Sequence, residues 1–411
     1  MKIIEDPKYI RRLFWLCSIG YIAALLGRLN YNAAMAEMIS TGYITMTQAG
    51  LVLTVYFSAY AVGQPVSGIL SDRFPARLML TAGFALSVSA NILLALTPPA
   101  NMVVWIWLLN GFAQSMLWPA VVRLLSGYLS HMQSVRAMVN ISPAVAVGTL
   151  LAYTLTAGII AFFPWQTAFW LGAFVMSIVG ISCFFGIRSV ERHLETCGRI
   201  KNKNADKKGG GKKASFLSLF LCAGLPIATV AVIMMGMLRD GITTWAPALL
   251  SAQFALDTSW AVLITAVVPL LGIAGVYMCH LINKRWLNNE ISTSAVFFGV
   301  AAFALGLMVI GSGGFVFAAA LVIATGVMHG VNTMLISLVP LYFTDEGRAS
   351  SMSGFLNAFT YVGSGISGVG VGVLVTSRGW PAVILIWMVV AFVGLLACLL
   401  CAGKWRRFVA G

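Results

Sequence analysis

Charge is what this 411-residue sequence has least of. Asp and Glu number 12 and Lys and Arg 26, so charged residues are 9% of the chain, where a soluble domain carries about 25%. A water-soluble fold could not cover its surface with so few, and neither a disordered nor a fibrous chain would be 60% apolar. Histidine is scarce as well, with four, and no grouping of His, Cys and carboxylates has the spacing of a metal site or of a nucleophile with its base. Neither enzyme chemistry nor a cofactor is expected. Of seven cysteines, Cys17, Cys183, Cys222, Cys279, Cys398 and Cys401 lie in apolar stretches and Cys197 in a polar one, which argues against structural disulfides. Cys398-Leu-Leu-Cys401 lacks a second ligand pair and reads as packing. No A-x-A-like cleavage site follows the apolar run near the N-terminus, and Arg28 interrupts it, so that run is an uncleaved first span.

What the sequence does have is long apolar runs. Twelve are read as membrane spans: 13–38, 48–70, 77–97, 101–125, 134–160, 165–187, 225–250, 258–282, 291–311, 314–342, 350–376 and 380–402. Each approaches or exceeds the roughly 20 residues that cross a bilayer as helix. The expected class is an all-α integral membrane protein of twelve transmembrane helices. A net charge of +14 could suggest nucleic acid, but the positions of the charges oppose that. On this topology 23 of the 26 basic residues fall on one face and only Arg378 on the other. Positive-inside bias puts both termini and the connection between spans six and seven in the cytoplasm. Anionic lipid headgroups are the partner such charges meet.

The one long polar segment, 188–215, is rich in Lys and Gly between Lys201 and Lys213 and has no aromatic there, the composition of a mobile linker. It separates six spans in 1–187 from six in 216–411. The halves echo one another. Arg28 and Arg239 are 211 residues apart, as are Asp72-Arg73 and Asn283-Lys284, while Arg136-Ala137 and Arg348-Ala349 are 212 apart. Two parallel six-span repeats are a transporter architecture, with substrate bound near mid-membrane.

Arg28 and Arg239 lie inside spans, 15 residues beyond Leu13 and 13 beyond Pro226, roughly 20 Å from the cytoplasmic helix ends. A guanidinium there costs at least ~2.5–3.5 kcal/mol and does not deprotonate. Asp240 is adjacent to Arg239, but neighbours at i and i+1 point in different directions on a helix, so it is not expected to pair with it. Two arginine forks suit an anion with several oxygens. His329 also sits mid-span, and packing, substrate contact and proton coupling are all open to it.

Four stretches carry a family resemblance. Span one has Gly20-Tyr21 and Gly27-Arg28-Leu29-Asn30-Tyr31, and span four has Trp118-Pro119 followed by Arg123. Span seven has Leu238-Arg239-Asp240-Gly241, then Trp245 and Pro247, and span eleven has Gly354-Phe355 with Tyr361 and Gly363. With the loop from Gly68 through Asp72-Arg73 to Arg77, these resemble the major facilitator superfamily and, within it, the organophosphate:phosphate antiporters. The resemblance implies that Arg28 and Arg239 grip substrate phosphate, that Tyr21, Tyr60 and Tyr361 line the cavity, and that Asp72, Arg73 and Arg77 gate it. The sequence also departs from the family. Gln64 stands where typical members carry Lys, Leu29 replaces a Lys beside the first arginine, and Pro143 stands where carriers of glycerol 3-phosphate have His. Gln64 is kept as a candidate substrate contact in a less positive site.

The expected function is a multi-pass carrier of the bacterial plasma membrane, acting as a monomer, that exchanges an organophosphate for inorganic phosphate by alternating access. One alternative is a proton-coupled symporter of a carboxylate or sulfonate, with Asp240 or His329 carrying the proton. The other is a membrane sensor of organic phosphate, although no signalling module is recognisable in the cytoplasmic segments.

Overall fold

The computed structural model describes residues 2–197, 199–200, 215–254, 272–310 and 314–410. Almost all of them are helical, the form in which an apolar chain satisfies its own backbone without water. Caps and prolines set the helix ends. Helix α1 (Pro7–Ser40) opens at Asp6, whose carboxylate accepts the Lys8 amide at 2.8 Å. Helix α2 (Met46–Arg73) opens on a capping box of Thr45 and Gln48. It stops at Phe74, which the following Pro75 pushes to extended backbone. Helix α3 (Ala76–Ala95) follows. The expected fourth span divides at Met116 into α4 (Met102–Ser115) and α5 (Leu117–Tyr128). Pro119 has no amide for the carbonyl four residues back, which loosens the ladder there. Helices α6 (His131–Asn140) and α7 (Ser142–Ile160) meet at Ile141, with Pro143 in the first turn of α7.

Helix α8 (Gln166–Cys197) does not stop at 187, so the start of the segment read as a linker is helical. Residues 201–214 lie outside the described residues. A short pairing not foreseen in the sequence follows: β1 (Lys2–Ile3) runs antiparallel to β2 (Arg199–Ile200). Then come α9 (Phe216–Cys222), α10 (Leu225–Phe254) and α11 (272–282). The first part of the expected eighth span, 258–271, lies outside the described residues. A π-turn (Asn283–Leu287) leads to α12 (Glu290–Val309) and α13 (Gly314–Asn332). The wider π-helical stretch Thr333–Leu338 and the tighter 3₁₀ stretch Val339–Phe343 come next. Helix α14 (Ala349–Ala410) contains the expected eleventh and twelfth spans and breaks at Gly379, whose φ of 76° favours glycine. Among the described residues, nine helical stretches are long and apolar enough to cross a bilayer. The protein is an all-α, multi-pass membrane protein.

The chain forms two compact units, Met1–Gly210 with Phe343–Ala358, and Gly211–Tyr342 with Phe359–Gly411. In the first, α2 packs on α4, α3 on α8, and α1 on α7 and α8. Its centre is aromatic: Trp107 lies 5.0 Å from Tyr31 and meets Phe169 edge-on at 5.8 Å. In the second, α13 packs on α12 and α10. There the buried Glu290, at the start of α12, accepts from Tyr342 at 2.9 Å and from the Trp405 indole at 3.1 Å. The positive end of a helix dipole favours a carboxylate at that position.

Candidate functional site

Arg28 belongs to the first unit. Its guanidinium carbon lies 5.1 Å from the ring centre of Tyr60, 5.7 Å from that of Tyr56 and 5.9 Å from that of Phe57. All three rings come from one turn of α2, and their faces stabilise a cation in a dry setting. The backbone carrying Arg28 is itself held. The Gly27 carbonyl accepts from Asn91 of α3 and Asn110 of α4, each at 3.0 Å, and the Ala24 carbonyl accepts from Gln114 at 3.1 Å. Ser87 donates to Asn110 at 2.6 Å and accepts from Gln114 at 2.9 Å, and Asn30 donates to Asn91 at 2.7 Å. All five of these polar side chains are buried. Extra donors on α1 carbonyls fix its rotation and depth, and so the place of Arg28. Sequence reasoning missed this network. The available signal was several amides inside apolar spans, where a polar group is costly unless bonded.

The other candidates of this unit divide. Tyr21 packs on Trp118 with ring centres 5.3 Å apart, and the Trp118 indole donates to Ser353 at 3.1 Å. Gln64 is fully buried where α2 crosses the start of α14, and a Cβ on Gly354 would collide with its carbonyl. Asp72 accepts the amides of Ser350 at 3.2 Å and Ser351 at 2.9 Å and the Ser351 hydroxyl at 2.5 Å. It thereby caps the bare first-turn amides of α14 from another helix. Arg77 is engaged elsewhere. It pairs with Glu191 of α8 at 3.1 Å and lies 4.8 Å over Phe184, because the start of α3 packs beside α8. Arg73 is exposed at the end of α2.

Arg239 belongs to the second unit, and here a sequence expectation is overturned. Asp240 does pair with it: Nε to Oδ1 is 2.6 Å and Nη2 to Oδ2 is 2.9 Å. The rule that i and i+1 diverge describes where side chains leave the helix. An arginine is long enough to curl back onto its neighbour. The third contact is Nη1 to Asn332 Oδ1 at 2.7 Å, and Asp240 also accepts from Ser364 of α14 at 2.5 Å. Asn332 ends α13 where the helix widens into its π-turns, a distortion common at functional sites. Neither Asn332 nor Ser364 was singled out from sequence. His329 lies one turn before Asn332, its ring so close to Gly272 that a Cβ there would meet it at 2.7 Å. Tyr361 is largely buried, beside the crossing where Gly236 meets the Thr360 carbonyl.

A sequence profile described as the Major Facilitator Superfamily matches residues 17–368. The "Probable hexose phosphate transport protein" of Chlamydia trachomatis is 24% identical, the alignment covering 98% of this chain and 93% of that protein. "Membrane sensor protein UhpC" of Salmonella typhimurium is 23% identical, covering 88% of this chain and 84% of its own. Among solved structures, the outward conformation of the transporter FucP superposes with a TM-score of 0.69 at 15% identity, covering 96% of this chain and 99% of that one. At that identity the likeness speaks for the fold alone.

The network behind Arg28 predicts a stability effect. Asn110→Ala removes a donor from Gly27 and the acceptor of Ser87, and should destabilise the purified protein by roughly 1–2 kcal/mol in thermal unfolding. Ser89→Ala, whose hydroxyl bonds only its own helix at Ala85, should change little. Equal effects from the two would deny the network a structural role.

Proposed function

The chain belongs to the major facilitator superfamily, and we propose that within it the protein is a secondary carrier that exchanges an organophosphate for inorganic phosphate by alternating access. The observation that carries this reading is the pair of arginines deep in membrane helices, Arg28 in one unit and Arg239 in the other, each with fixed neighbours. We assign both forks to the transported anion, because bidentate N–H donors match phosphate oxygens. Tyr21, Tyr60, Gln64, Tyr361 and His329 are its proposed further contacts. The phosphate-ester class is supported by the chlamydial relative, which is named for hexose phosphate and aligns over 98% of this chain. We place both termini on the cytoplasmic side of a bacterial plasma membrane from the distribution of basic residues.

The Arg239–Asp240 pair changes the electrostatics of exchange. Within the second unit Asp240 offsets the charge of Arg239, so a monoanion is enclosed there at less cost than a dianion. The same pair favours one second reading. A proton on Asp240 would weaken its hold on the Arg239 fork and free it for an anion, giving proton–anion symport. The two readings differ in whether an anion is needed on the far side.

Counterflow in proteoliposomes separates them. Exchange predicts phosphate uptake only into vesicles loaded with phosphate or a phosphate ester. Net uptake into empty vesicles driven by an inward proton gradient would establish symport instead. No flux under either condition would leave the sensing role. Phosphate monoesters lose their second proton near a pKa of about 6, so wild-type exchange should slow as pH rises from about 6 to 8 and the monoanion disappears. Asp240→Asn raises the charge beside Arg239 by one and should flatten that profile by admitting the dianion.

Asp72 is proposed as a latch, since it caps the helix that continues from the first unit into the second after Ala358. Asp72→Asn should slow turnover several-fold with substrate affinity within a few-fold of wild type. A large loss of affinity at normal turnover would show that it serves the binding site instead.

A further inference from the structure

One cavity takes no part in the proposed transport. It lies where the start of α1 meets the far end of α8, has a volume of about 480 Å³, and is lined by Tyr9, Phe185, Arg188, Ser189, Arg192 and His193. Its walls are braced. Tyr9 stacks on His193 with ring centres 3.8 Å apart and planes within 4°. Arg12 donates to Ser189 at 3.2 Å, tying the two helices together. Among the described residues, the lining contains no carboxylate.

The face of α8 that leads to this cavity shows what fits it. Phe174, Ile178, Ile181 and Phe185 are 63%, 51%, 60% and 59% exposed. Their spacing of four, three and four residues places them on one helix face. Carried on by three and then four, the same face reaches Arg188 and Arg192, both exposed. The apolar stripe from Phe174 to Phe185 rises about 16 Å, close to half the ~30 Å hydrocarbon thickness of a bilayer. The arginines therefore begin where one leaflet's acyl region ends. Trp15, 58% exposed on α1, is of the residue type that settles at that boundary.

We propose that this cavity binds an anionic phospholipid, its phosphate held by Arg188 and Arg192 and an acyl chain lying along Phe185, Ile181, Ile178 and Phe174. Arginine forks match phosphate oxygens better than a point charge would. A zwitterionic lipid would bring an ammonium toward two guanidiniums and lose that advantage. A free phosphate ion could use the arginines but would gain nothing from the apolar stripe. The site is independent of the transported anion, and the proposal stands whether the carrier exchanges, symports or senses.

Native mass spectrometry of the full chain, given phosphatidylglycerol and phosphatidylcholine in equal amounts, tests it. Wild type should retain one phosphatidylglycerol in preference to phosphatidylcholine. Arg188→Gln with Arg192→Gln should weaken that retention by about thirtyfold, at roughly 1 kcal/mol per basic residue near a lipid surface. Arg406→Gln with Arg407→Gln removes the same charge from other exposed positions and should leave retention unchanged. Phe185→Ser leaves the charge untouched and should still weaken retention, which separates a lipid from a soluble phosphate. The proposal is overturned if both arginine pairs matter equally, if phosphatidylcholine is held as tightly, or if excess inorganic phosphate displaces the lipid and Phe185→Ser has no effect.

Discussion

A guanidinium cannot shed its proton to enter hydrocarbon, so an arginine in the middle of a membrane helix must be met by fixed partners. Much of this structure follows from meeting that requirement twice, by different means. Around Arg28 the partners are the faces of Tyr56, Phe57 and Tyr60, and the helix that carries it is pinned through its own carbonyls by Asn91, Asn110 and Gln114. Around Arg239 the partners are a carboxylate and an amide, Asp240 and Asn332. The first arrangement meets the charge with aromatic faces, whereas the second meets it with a carboxylate. The two arginines are thus held by different chemistry.

That difference bears on function. On the proposed carrier reading, Asp240 favours a singly charged ligand at Arg239, or a doubly charged one accompanied by a proton. It is also an internal competitor for the arginine fork within the second unit. The polar network behind Arg28 acts as scaffold in the first unit.

The all-α, multi-pass architecture could be read from sequence because hydropathy obeys the bilayer, a constraint that acts on each residue separately. Arg28 and Arg239 stood out for the same reason: a charge within an apolar run is anomalous wherever its partners lie. Partner identity was not legible in this way. Asn91, Asn110 and Gln114 come from two helices and converge on α1 only in three dimensions. Asp240 was misjudged because helix geometry was applied to where side chains start rather than to how far an arginine reaches. The family motif groups Arg77 with Asp72, but it could not name Glu191 of α8 as the partner of Arg77. The close approach of α2 and α14 at Gln64 and Gly354 was likewise not legible, since it depends on a small residue on a distant helix.

The central proposal is that Arg28 and Arg239 each serve the transported anion, and calorimetric titration of a phosphate ester into Arg28→Lys and Arg239→Lys tests it most directly. Lysine keeps the charge but loses the planar fork. Each substitution should therefore remove most of the binding in a protein that still folds. Near-normal binding in both variants would contradict the proposal and leave the two arginines as structural charges.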